Sequence, residues 1–506
     1  MNEFENALPS GGPAKPAPKP SILAEKVPRY RLFLLLTFGW CLLVANATLW
    51  HGPSTGLTVC VFVWYGLFLA WKGRPALRSS RLLLVYNLFL ALTLALGSNW
   101  YFRYWNLLAL AVLVPVQIFA ETAVLPWWKS AMFLERLFLY FWGLFGNLWA
   151  CFAAAVPSGK KGDSRRTAAI IAGSAGALVL VAFLLPVLAS ADALFAAATA
   201  GLQEFIRLHF TADLGDLFWA LVLTPFAFSL LYSIQNPAEK KIKEFAVPAL
   251  DGVIFTLILA ALDVLYLLFL AVQSAGLFGG PAYLEARNIS YAEWARSGFF
   301  QMVGVTAVNL SVLLTALVFS GRSGKTWKAV RGLAAVLLAE SFVLLASAAW
   351  RMTLYVTAYG LSFKRFMTYW GMVMMALFLF AAAVKLVKPD FCYCKCVFPL
   401  ALAGWLAINC VPVDYLVAKN QVDRYLNHES TVVSVHYLVY SLSYDTLAQL
   451  GRLDGDAYLS QYEGGWWGRD EKLSTILDQR KASAQKQCAD WRSWSLSAQL
   501  ALSVGS

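Results

Sequence analysis

The chain has 506 residues, 59% of them hydrophobic and only 14% charged, with a mean hydropathy of +0.60. Those values exclude an ordinary soluble protein, whose surface needs a larger charged share, so lipid must solvate most of the chain. The formal net charge of +12, from 41 Lys and Arg against 29 Asp and Glu, would suit a nucleic-acid binder, but the basic residues sit in short connectors between apolar runs, where anionic lipid and membrane topology account for them.

Residues 1–28 alternate Pro9, Pro13, Pro16, Pro18 and Pro20 with Lys15 and Lys19, and lack the apolar core and small-residue cleavage site of a secretory signal. They are expected to form a disordered basic tail in the cytoplasm. A hydrocarbon core about 30 Å thick needs roughly 20 apolar helical residues. By that measure residues 29–130 hold four spans, at 32–50, 54–71, 82–98 and 104–120.

The next apolar run, 132–156, is long enough to cross. If it crossed, every basic cluster after it would move outside, including Lys160 and Lys161, Lys240 and Lys241, and Lys325 and Lys328. That contradicts the excess of Lys and Arg in cytoplasmic loops. Residues 131–166 are therefore expected to be an interfacial or re-entrant segment followed by a basic cytoplasmic loop.

Spans at 167–189, 214–234, 250–272, 299–320, 332–350, 367–387 and 396–413 follow, making residues 167–413 a membrane core and bringing the total to about eleven. The fold class is an all-α, polytopic transmembrane helical bundle. An odd number of crossings from a cytoplasmic N-terminus places residues 414–506 outside, where Leu438, Leu442, Leu447 and Leu450 at helical spacing suggest a small helical domain.

Two acids lie near the centres of their spans, Asp263 and Glu340. A central carboxylate costs about 2.5–3.5 kcal/mol on insertion, whereas each Leu, Ile, Phe or Val returns roughly 0.3–0.6. Both helices still insert, with the acids facing protein. Such acids mark proton relays or cation sites; the alternative is a protonated acid that bridges helices by hydrogen bonding.

Arg351 lies on the same helical face as Glu340, about 16 Å further along, and Tyr355 and Tyr359 continue that stripe. With Arg296 and Arg365 on the same outer side, these residues form a candidate site for an anionic headgroup or carboxylate. Interfacial anchoring and snorkelling are the alternative.

Other motifs carry less. Cys392, Cys394 and Cys396 lack the second half of a structural zinc site, and the eight cysteines form no readable disulfide framework. Gly324, Lys325 and Thr326 end like a phosphate loop, but Phe319 stands where its first glycine belongs. His428 and His436 belong to no zinc-protease spacing, and no hydrolase signature occurs. No catalytic residue, metal or cofactor is therefore expected.

Three local patterns resemble a known family: Tyr291-Ala292-Glu293-Trp294-Ala295-Arg296-Ser297-Gly298-Phe299-Phe300, then Arg351-Met352 with Tyr355, then Tyr359-Gly360-Leu361 running to Arg365. Tyr266, Phe269, Gln273 and Phe278-Gly279-Gly280 fit the same pattern. They resemble bacterial polytopic membrane proteins catalogued as a domain of unknown function, of the DUF4173 and DUF4153 type, over roughly residues 160–450. The resemblance implies a bacterial inner-membrane location and supplies no activity, substrate or cofactor.

The leading expectation is a non-enzymatic envelope protein that senses or scaffolds through its outer loops and tail. Its partners would be membrane lipids and an envelope or signalling protein, with no nucleic acid. A proton-coupled transporter using Asp263 and Glu340 is the alternative, and an enzyme acting on a lipid-linked substrate is the third.

Overall fold

Long apolar runs have one stable solution in lipid, because a helix satisfies its own backbone polar groups where water is absent. The computed structural model describes residues 27–49, 51–72, 78–120, 145–155, isolated helical positions between 170 and 201, 212–235, 250–277, 291–321, 324–463 and 470–503. Among these the architecture is all-α, with two isolated β-bridges, Leu250 to Ser320 and Tyr458 to Lys472.

The long helices are α1 (Val27–Thr48), α2 (Thr55–Lys72), α3 (Arg78–Leu96) and α4 (Trp100–Ala120), then α5 (Leu148–Ala155) and α6 (Ala212–Gln235). After them come α7 (Gly252–Leu277), α8 (Tyr291–Phe319), α9 (Gly324–Tyr359), α10 (Phe363–Val387) and α11 (Tyr393–Cys410). Among the described residues, nine helices are long and apolar enough to cross a membrane. These coincide with nine of the expected spans; the run at 82–98 falls on the shorter apolar helix Ser80–Leu96. The span expected at 167–189 lies almost wholly outside the described residues, as do the first part of the 132–156 run and the N-terminal tail up to residue 26.

The chain divides into two units. One takes Met1–Leu42 and Leu144–Ser233, and contains most of α1 together with α5 and α6. In it Tyr30 meets Tyr232 at 5.8 Å between ring centroids, and the Ser229 hydroxyl accepts from the Asn147 amide at 3.2 Å.

The second unit takes Leu43–Gly143 and Ile234–Ser506. Its helices are joined by polar side chains as well as by apolar packing, as expected where lipid supplies no hydrophobic drive between helices. Thr58 on α2 donates to the Ala91 carbonyl on α3 at 2.6 Å, and Asn87 on α3 donates to the Tyr65 hydroxyl at 2.7 Å. Asn106 on α4 donates to Asn409 on α11 at 2.6 Å and accepts from the Trp405 indole at 2.8 Å.

Beyond α11 the chain forms a helical domain: α12 (Val413–Leu426), single turns at Leu447–Leu450 and Leu459–Tyr462, α13 (Leu473–Ala489) and α14 (Leu496–Leu502). Leu438, Leu442, Leu447 and Leu450 are all buried, as their spacing suggests. They do not share one helix, however: a wide turn at Tyr437–Ser441 gives way to a 3-10 turn at Tyr444–Thr446. Ser443, between them, is extended, and its amide donates to the Asp414 carboxylate at 2.9 Å.

This domain is docked on one end of its membrane unit. Asn99, between α3 and α4, donates to Asp414 at 2.7 Å. At the start of α2, the Gly56 amide donates to the Arg492 carbonyl at 3.0 Å, and the Thr55 hydroxyl donates to the Trp494 carbonyl at 2.7 Å. The Gly56 bond satisfies a backbone donor that an α-helix N-terminus leaves without an intrahelical partner.

The far end of α9 is held the same way. With 36 residues, α9 is about 54 Å long, more than the hydrocarbon core is thick, so its end projects beyond it. It stops at Gly360, whose φ of +75° is a left-handed conformation that glycine adopts without strain. Arg424 on α12 donates to the carbonyls of Val356 at 3.0 Å and Ala358 at 3.1 Å, placing positive charge at the negative pole of the helix dipole. Arg424→Ala is expected to cost about 1–3 kcal/mol locally, read as faster amide hydrogen exchange at residues 356–366 with unchanged exchange in α2 and α3; equal acceleration everywhere would reject a local cap.

Candidate functional site

The core of α7, α8 and α9 is apolar, built on Leu259, Leu313, Leu337 and Leu345 among others. Asp263 and Glu340 interrupt it. Asp263 is 4% exposed and Glu340 3%, and among the described residues none of their four carboxyl oxygens has a hydrogen-bond partner. Asp263 lies close enough for its charge to act on the Glu340 carboxyl. The sequence placed both acids at the centres of spans; the packing of α7 against α9 brings them together.

Tyr266, Asn309 and Ser341 add one polar side chain from each of the three helices. Tyr266, one turn after Asp263, lies within the electrostatic reach of Glu340 and of the Asn309 side chain on α8. Asn309, fully buried, donates from Nδ2 to the Ser341 hydroxyl at 3.1 Å, while its Oδ1 has no partner. Ser341 passes its own proton to the Leu337 carbonyl at 2.7 Å. The cluster thus leaves five acceptor oxygens, four carboxyl and one amide, without a partner among the described residues. Such an arrangement is costly in a low-dielectric interior unless protons, a cation or water occupy it. The other flank of α7 exposes Leu257, Val264, Leu268 and Val272.

Of the arginine and tyrosine residues expected at the outer face, Arg365, Tyr355 and Tyr359 gather around the end of α9. Arg365, on α10, stacks over Tyr355 at 4.1 Å and lies 6.0 Å from Tyr359, and the two rings are 5.3 Å apart. Its Nη1 also donates to the Tyr359 and Gly360 carbonyls. Arg351 is buried one turn earlier on α9. Arg296 lies on α8, and its side chain falls outside the described residues.

Asn99, Asp414, Ser443 and Arg424, which fasten the C-terminal domain, carried no signal of that role in the sequence beyond being polar residues next to spans. Burial pushes the Asp414 carboxyl above its ordinary range, against the opposing pull of the Ser443 and Asn99 hydrogen bonds. Asp490 is held low, chiefly by the Arg492 guanidinium, with His51 adding to it at 3.0 Å.

Cys392 and Cys394 are half-buried and Cys396 is exposed. Among the described residues, no group of three or more His, Cys, Asp or Glu side chains is placed to hold a metal ion.

These features define a class: a multi-pass, all-α membrane protein with a docked C-terminal helical domain and a pair of carboxyls inside the bundle. The chain matches the family described as "Domain of unknown function (DUF4153)" over residues 83–453, which is most of its length, and belongs to that family. The match takes in Asp263, Glu340, Asn99, Arg424, Asp414 and Ser443, and leaves out the docking contacts of Thr55 and Gly56 with Trp494 and Arg492. No curated protein and no solved structure matches the chain.

Proposed function

We propose that this protein sits in a bacterial cytoplasmic membrane and couples proton movement to transport or to a conformational signal through Asp263 and Glu340. The observation that carries the reading is the pair itself: two buried carboxyls from different helices, with no hydrogen-bond partner on any oxygen. Acids at that depth are expensive, and structural bridging normally satisfies their oxygens.

Charge distribution supports the orientation. Lys72, Lys325, Lys328, Lys385, Lys388 and Lys395 lie at the ends of α2, α9, α10 and α11 that point away from the docked domain. The excess of positive charge on cytoplasmic ends then puts residues 414–506 outside and the N-terminus inside.

Reconstituted protein should dissipate or use an imposed proton gradient, and Asp263→Asn or Glu340→Gln should lower that flux at least tenfold while helicity and monodispersity persist. Flux that survives the double variant would remove the acids from the mechanism.

A second reading, envelope sensing or scaffolding, is favoured by the rigid docking of the C-terminal domain on several membrane loops. Its partners would be lipids and an envelope or signalling protein, and the Arg365, Tyr355 and Tyr359 cluster, with Arg351 and Arg296, would hold an anionic group at the outer face. A chain ending at residue 413 that retained every protein interaction would exclude it.

A further inference from the structure

The carboxyl pair is not alone in lacking partners. Asn309 Oδ1, on a third helix and fully buried, is also unpartnered among the described residues, and the same side chain donates to Ser341, the neighbour of Glu340. We infer that Asp263, Glu340, Asn309, Tyr266 and Ser341 form a site for a monovalent cation, Na+, that binds in exchange for a proton. This rests on the reading that the acid pair is functional, and names what it takes besides protons.

The donor set is the first argument. Every polar group the three helices contribute presents oxygen, and hard cations choose carboxyl, amide and hydroxyl oxygens over nitrogen and sulfur. The Ser341 proton is already committed to Leu337, and Asn309 has turned its amine towards Ser341. What remains unsatisfied is acceptor.

Charge is the second. A buried site favours states of low net charge. Two protonated carboxyls are neutral, and so is one protonated carboxyl beside one carboxylate holding Na+. The exchange is therefore one Na+ in and one proton out: the O–H bond of one carboxyl breaks, the proton leaves to solvent, and the carboxylate so formed ligates the cation. Calcium would reach a neutral site only by displacing both carboxyl protons, which the count of released protons distinguishes, and magnesium parts with its water reluctantly. Neither Asp263 nor Glu340 forms an ion pair with a basic side chain among the described residues, so no fixed cation pre-empts the site.

The test uses the full chain in lipid nanodiscs. Radioactive Na+ should bind saturably and more tightly at pH 8 than at pH 6, and adding NaCl in weak buffer should release about one proton per protein, with choline chloride as control. Asn309→Ala should weaken Na+ binding about tenfold, and Ser341→Ala serves if the first variant fails to fold; Asp263→Asn with Glu340→Gln should abolish it. Proton-linked flux without Na+ binding or Na+-driven proton release would overturn the cation site and leave the proton reading standing. Equal displacement of protons by K+ or Ca2+ would overturn the assignment to Na+. Loss of both flux and binding from folded protein would overturn both readings.

Discussion

Asp414→Ala is expected to loosen the C-terminal domain from the membrane helices by about 3 kcal/mol, because it strands two buried donors at once. Asn99 Nδ2 and the Ser443 amide both give their hydrogen bonds to Asp414 Oδ2, at 2.7 and 2.9 Å. Without the carboxyl they face an apolar seam that includes Phe102, Val417, Leu442 and Leu438. Limited proteolysis between residues 427 and 470 reads the result, and wild-type resistance in the variant would refute the latch.

The same contact has a pH dependence of defined sign. Burial raises the Asp414 carboxyl, so the docked domain binds a proton that the released domain gives up, and Asp445 and Tyr437 are the other titratable groups that feel it. Docking is then firmest below the ordinary carboxyl range, near pH 4, and weakens as pH rises through the raised value. Asp414→Asn imitates the protonated form and should flatten that dependence while keeping most of the resistance lost in Asp414→Ala.

Gly56→Val should be the most damaging single change in the N-terminal helices. A Cβ on Gly56 would meet the Ala47 Cβ and carbonyl oxygen, each at 2.9 Å, and the Arg492 carbonyl at 3.2 Å. Two of those three atoms are backbone and cannot rotate away, so the α1–α2 turn and the loop before α14 must separate. Overpacking of this kind costs about 3 kcal/mol or more. Gly66, ten residues along the same helix, has nothing within 4 Å of its added Cβ, and Gly66→Val provides the control. Thermal midpoints in detergent should fall sharply for the first variant and change little for the second; equal falls would mean that helix propensity, not space, governs both.

The membrane spans were legible in the sequence because hydropathy is summed locally: about twenty apolar residues either occur in a row or do not. Nine described helices match expected spans on that ground. The depth of Asp263 and Glu340 could be read the same way, since it depends only on distance from the span ends. The leucines buried at 438–450 were legible as apolar, although their helical spacing did not foretell the break at Ser443.

What only the tertiary structure decided is which face meets which. Asp263 lies 77 positions before Glu340, and Asn99 lies 315 positions before Asp414. Whether such pairs touch depends on each helix's rotation and on its sliding against its neighbours. Those quantities are fixed by side-chain packing across the bundle, not by any stretch of a single helix. Arg365 shows the difference: the sequence marked it as a free outer cation beside tyrosines, and the fold turns it onto the Tyr355 ring and the terminal carbonyls of α9. Composition placed this chain in lipid; the meeting of α7, α8 and α9 decided which polar side chains share its interior.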